Sequence, residues 1–70
     1  MKRTAVLKKI RQAARDADLD YMETELTNHT GLRVGGVSTV VARHLDIPQF
    51  TAETIFKQLE PALGKGWWRR

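Results

Sequence analysis

Thr27-Asn28-His29-Thr30-Gly31-Leu32-Arg33-Val34 runs into Gly35-Gly36 and on into Val37-Ser38-Thr39-Val40-Val41. The stretch reads as a β-hairpin. Two runs of alternating apolar residues flank a Gly-Gly pair, the turn chemistry that permits positive φ at both central positions. Successive side chains of a strand point to opposite faces. Thr30, Leu32 and Val34 therefore face one way, and His29, Gly31 and Arg33 the other. The first set is the apolar one and is expected on a core. His29 and Arg33 then share the solvent face, with the small Gly31 leaving space between them. In the third strand, from about 37 to 42, Val37, Thr39 and Val41 share a face. Val40 takes the other, so that strand is expected to be partly buried on both sides.

Upstream, residues 1–18 read as a helix with Thr4 as N-cap. Val6, Ile10, Ala13, Ala14 and Ala17 recur at the spacing of one helical face, and Leu7 widens the stripe. Lys8, Arg11 and Arg15 fall on the opposite face. They read equally as a solvated face and as a stripe facing phosphates. Asp16-Ala17-Asp18 closes the helix. The run Leu19–Leu26 then alternates as a strand, with Met22, Thr24 and Leu26 on one face and Tyr21, Glu23 and Glu25 on the other. That acidic face is expected beside the basic hairpin face. Tyr21 reads first as a half-buried structural residue and second as a base-stacking platform.

Downstream, residues 43–50 read as a loop that Leu45, Ile47 and Phe50 anchor to the core. Pro48 biases Ile47 away from helix. Thr51 is expected to cap a second helix whose apolar face is Ala52, Ile55, Phe56 and Leu59. Pro61 ends that helix or begins one last turn. In the tail, Gly66-Trp67-Trp68-Arg69-Arg70, two exposed tryptophans would be costly, so one is expected to dock on the body. Helix, three strands, helix, joined by short connections, make an α+β domain. Its three-stranded antiparallel sheet should carry both helices on one face. The other face stays open and holds His29 and Arg33.

Seventy residues make one domain, 1–70, near the lower size limit for an unaided core. There is no cysteine, so neither disulfides nor cysteine metal sites arise, and the two histidines lack the spacing of a structural zinc site. No cofactor is called for. No run of about 18 apolar residues exists to span a membrane, and no apolar signal segment follows Lys2-Arg3. A cytoplasmic protein without membrane contact is expected. The net charge of +4 points to a polyanionic partner, nucleic acid foremost.

The order of these features resembles the HicA toxin family, small ribonucleases of HicA–HicB toxin–antitoxin pairs, over nearly the whole chain. The likeness rests on four segments. They are the basic opening helix, Lys2-Arg3-Thr4-Ala5-Val6-Leu7-Lys8-Lys9-Ile10, and Thr27-Asn28-His29-Thr30 where the family has a Gly-Ser-His-type segment. Ala42-Arg43-His44-Leu45-Asp46-Ile47 stands where it has Pro-Arg-His, and Thr51-Ala52-Glu53-Thr54-Ile55-Phe56-Lys57-Gln58-Leu59 matches its closing helix. Thr30 stands where many members have a second histidine or another bulky residue. The resemblance implies a fold like a double-stranded-RNA-binding domain, cleavage of mRNA by one histidine without a metal, and a HicB-type antitoxin partner. By position the catalytic residue is His29.

That role has a chemical basis. RNA carries its own nucleophile, the 2′-hydroxyl. Cleavage needs that proton removed, the leaving 5′-oxygen protonated and the phosphate charge stabilised. Imidazole titrates near neutral pH and does proton work without a metal, and a cation such as Arg33 can offset phosphate charge. Glu23, Glu25, Tyr21 and water all stand as second proton-transfer partners. For His44, beside Arg43, a structural role is favoured over phosphate binding. RNA contacts of the ribonuclease are expected from Lys8, Arg11, Arg15, Arg33 and Arg43. Two other functions compete. One is a non-catalytic RNA- or DNA-binding module with Lys8, Arg11, Arg15 and the basic tail on phosphates. The other is a protein-interaction module using Trp67 and Trp68.

Overall fold

A computed structural model describes residues 1–69, and Arg70 of the basic tail lies outside the described residues. The chain forms helix α1 (Arg3–Asp16), strands β1 (Tyr21–Glu25), β2 (His29–Val34) and β3 (Val37–Ala42), and helices α2 (Gln49–Gln58) and α3 (Glu60–Leu63). A single 3₁₀ turn, Trp67–Arg69, follows. The strands make one antiparallel sheet in the order β1-β2-β3. This is the α-β-β-β-α arrangement expected from the hairpin.

Gly35 and Gly36 turn β2 into β3 with φ of 54° and 88°, values that a Cβ disfavours. The register pairs Val34 with Val37 and His29 with Ala42. Thr30, Leu32 and Val34 are buried, as are Thr39 and Val41. Against this face pack Val6, Ile10 and Ala14 of α1, and Ala52, Ile55 and Phe56 of α2 with Leu59 just beyond it. Each large apolar side chain so buried contributes roughly 1.5–3 kcal/mol. α1 lies over β1 and α2 over β3. The helix α1 closes as expected, through Asp18 in the left-handed region (φ 58°) and a bond from the Leu19 N–H to the Ala14 carbonyl at 2.8 Å.

The helix starts differ from expectation. Neither Thr4 nor Thr51 is an N-cap. Residues 1–3 run antiparallel to residues 45–47, with the Ile47 N–H donating to the Met1 carbonyl at 2.7 Å and the Arg3 N–H to Leu45 at 2.9 Å. Lys2 is thereby the last extended residue, and α1 begins at Arg3. Pro48 occupies the N-cap of α2 with ψ 146°, so Thr51 already lies inside the helix. Only Ile47 anchors the preceding loop. Leu45 and Phe50 are 72% and 84% exposed.

Val40 is exposed on the open face, not half-buried. β1 also corrects an expectation. Its register pairs Tyr21, Glu23 and Glu25 with Val34, Leu32 and Thr30, so they belong to the helix-bearing face. Met22 and Thr24 take the open face beside Arg33 and Gly31. The acidic row and His29 are on opposite sides of the sheet. At the chain's end Pro61 sits in the first turn of α3, the short last turn expected of it. Trp67 docks on the core, its indole N–H donating to the Phe56 carbonyl at 2.8 Å. Trp68 is half-buried, its ring 5.9 Å from that of Phe56.

Candidate active site

His29 is the first residue of β2 and is exposed, one position before the fully buried Thr30. A three-residue connection, Leu26-Thr27-Asn28, delivers the chain from β1, closed by the Leu26 N–H donating to the His29 carbonyl at 2.9 Å. Neither Thr27 nor Asn28 takes a positive φ. The turn therefore forms without glycine.

An open depression of about 350 Å³ surrounds the histidine, lined by Thr27, Asn28, His29, Ala42, Arg43 and His44. The ladder explains why these residues meet. Ala42 faces His29 across the β2–β3 pair, and the next two residues leave the strand at the same end. The Arg43 guanidinium reaches the far side of the sheet, 2.7 Å from the Glu25 carboxylate. It also donates to the Leu26 carbonyl at 2.5 Å.

Beneath the depression lies a polar network. The Thr30 hydroxyl donates to Glu25 at 3.0 Å and accepts from the Arg3 guanidinium. The Arg3 Nε–H reaches the Ala42 carbonyl at 3.3 Å. The start of α1, the end of β1, the start of β2 and the end of β3 are thus tied below His29. Hydrogen bonds of this kind fix the backbone that presents His29.

The remaining cations are elsewhere. Arg33 shares the open face, but four residues along the strand place it roughly 13 Å from His29. Lys8, Arg11 and Arg15 are exposed on α1, roughly a third of a turn round from its buried line. Arg11 is close enough to Tyr21 to affect its phenol. The stripe therefore runs over the helix-bearing side and does not meet His29.

Tyr21 is on that side too. Its pKa is raised well above the ordinary phenol value, first by burial and then by its hydrogen bond to Glu23 at 2.7 Å. Tyr21, Glu23 and Glu25 are all separated from His29 by the sheet. The open face around His29 and Arg33 is otherwise uncharged, with Met22, Leu26 and Val40 exposed on it. Among the described residues no group of three His, Cys, Asp or Glu side chains is placed to hold a metal. No helix among them is long and apolar enough to cross a membrane.

His44, expected as a structural loop residue, lines the same depression as His29. Ala42 opposes His29 in the register, and His44 lies two residues beyond the end of β3. Comparison with protein-family models, curated proteins and solved structures finds no match to the chain.

Proposed function

We propose that the chain is a HicA-type toxin, an endoribonuclease that cleaves mRNA through His29 without a metal and is neutralised by a HicB-type antitoxin. The observation that carries this reading is the placement of His29. It is exposed at the head of β2, in a depression shared with Arg43 and His44, above a network that fixes the strand ends. The family resemblance supplies the reaction class, and the site offers the groups that reaction uses. Imidazole exchanges protons near neutral pH. The Arg43 side chain remains 42% exposed while held by Glu25, so its charge can reach a phosphate passing the end of the sheet. No metal is needed to generate a nucleophile that RNA already carries.

Binding extends beyond the depression. Arg33 can take a phosphate further along the open face. An RNA that also reaches Lys8, Arg11 and Arg15 must pass round the edge of the sheet. The antitoxin is assigned to the open face, where it would cover His29 and the uncharged surface beside it. Toxin and target would meet in the cytoplasm. A second reading, a binding module without catalysis, is favoured by one observation. The α1 stripe is remote from His29 and offers phosphate contacts that do not involve it.

Induced expression in a bacterial host separates the two. The catalytic reading expects growth arrest and mRNA loss from the wild-type chain and neither from His29→Ala. Equal behaviour of two folded proteins overturns the catalytic reading and leaves the binding module.

A further inference from the structure

Building on the ribonuclease reading, we infer that His44 is the second proton-transfer group, so that the depression holds an acid–base pair of imidazoles. Three observations converge. Both histidines line the same depression of about 350 Å³. The pairing of His29 with Ala42 brings the segment that carries His44 to the head of β2. Both side chains are exposed, so each can meet substrate and re-equilibrate its proton with water. The other side-chain candidates, Tyr21, Glu23 and Glu25, lie on the opposite side of the sheet, and Glu25 is engaged by Arg43 and Thr30.

The step then balances without any further reagent. One imidazole, neutral at the start, takes the proton from the ribose 2′-hydroxyl. The 2′-oxygen forms a bond to phosphorus as the bond from phosphorus to the 5′-oxygen breaks. The other imidazole, protonated at the start, gives its proton to that leaving oxygen. The products are a 2′,3′-cyclic phosphate and a 5′-hydroxyl. The two imidazoles end with their protonation exchanged and return to the starting state through solvent. Arg43 also lines the depression, with its guanidinium paired to Glu25.

The test compares wild type, His29→Ala and His44→Ala on an oligoribonucleotide and on the same oligomer with a bridging 5′-sulfur at the cleaved linkage. A thiolate leaves without needing a proton. Each variant should lose about 10²–10⁴-fold in single-turnover rate on ordinary RNA. The sulfur substrate should restore one variant at least tenfold, the one lacking the acid, and not the other. Rescue of neither overturns the pair. Wild-type rates from His44→Ala with an inactive His29→Ala remove His44 and leave the His29 reading standing. Wild-type rates from both end the histidine mechanism, and absence of cleavage by the wild-type chain ends the ribonuclease reading itself.

A second measurement needs no turnover. The chain has two histidines, so their ring signals are readily assigned by NMR. Titration with a 2′-O-methyl oligoribonucleotide, which cannot be cleaved, should move both with one saturation curve. Movement of His29 alone contradicts the inference.

Discussion

Arg43 lies 2.7 Å from the Glu25 carboxylate, which also accepts from the buried Thr30 hydroxyl. One acidic side chain thus holds both the residue after His29 and the segment that carries His44. The Arg43–Glu25 pair is 42% and 62% exposed, so alone it is worth only about 0–1 kcal/mol. Its energetic significance comes from Thr30, which is fully buried and also accepts from Arg3.

Thr30→Val keeps the shape of this residue and removes its hydroxyl. Arg3 and Glu25 each lose a charge-assisted hydrogen bond, and the expected loss is about 1–3 kcal/mol. Urea unfolding should show a lower midpoint with unchanged slope. An unchanged midpoint would mean that the network does not hold the strand ends.

Trp67→Phe keeps an aromatic ring against Phe56 and deletes the buried N–H that donates to the Phe56 carbonyl. It should cost about 1 kcal/mol. Trp67→Ala should cost about 3–5 kcal/mol, enough to leave a domain this small largely unfolded. Circular-dichroism melts of the two variants check the order. Equal melting temperatures would show that the tail does not dock.

Tyr21 gives a pH prediction with a definite sign. Its folded pKa is raised, so above the ordinary phenol pKa the folded state binds more protons than the unfolded state. Its contribution to stability is fully present below that value and is lost as pH rises through the alkaline range. The chain has one tyrosine. Its phenolate absorbance should therefore appear only well above the usual range, and urea should bring it back to the ordinary value. A normal titration in the folded protein would contradict the burial of the phenol beside Glu23.

The hairpin was legible because two signals agreed: the Gly-Gly turn and the period of two from Thr30 to Val41. The apolar rows of both long helices were legible for the same reason, Val6 with Ile10 and Ile55 with Phe56. The caps were not, because each depends on a partner distant in sequence. Lys2 is extended because it bridges Asp46, and Thr4 cannot report that. The facing of β1 was equally hidden. Alternation separates Met22 from Glu23 but does not say which side meets the helices, and the register with β2 decides it. His29 stood out as a lone histidine on an apolar strand. His44, in a loop, needed the same register to acquire a neighbour.

Lys8, Arg11 and Arg15 are exposed and remote from His29, so binding and chemistry should separate. Replacing all three with glutamine should lower the magnitude of the salt dependence of RNA affinity, log K against log salt, by roughly 2 if each meets one phosphate of a single strand. The single-turnover rate at saturating RNA should stay within about threefold, a factor worth under 1 kcal/mol. An unchanged salt slope would return the stripe to a merely solvated face.

The most direct test of the account uses the purified chain on an oligoribonucleotide, with and without a 2′-deoxy substitution at the cleaved linkage, in parallel with His29→Ala. The account predicts cleavage of the all-ribose strand to a 2′,3′-cyclic phosphate, with no metal added and a chelator present. The 2′-deoxy linkage should stay intact, and His29→Ala should lose at least about 10²-fold while melting like wild type. Cleavage of the 2′-deoxy linkage, or an unchanged rate in a folded His29→Ala protein, would contradict it.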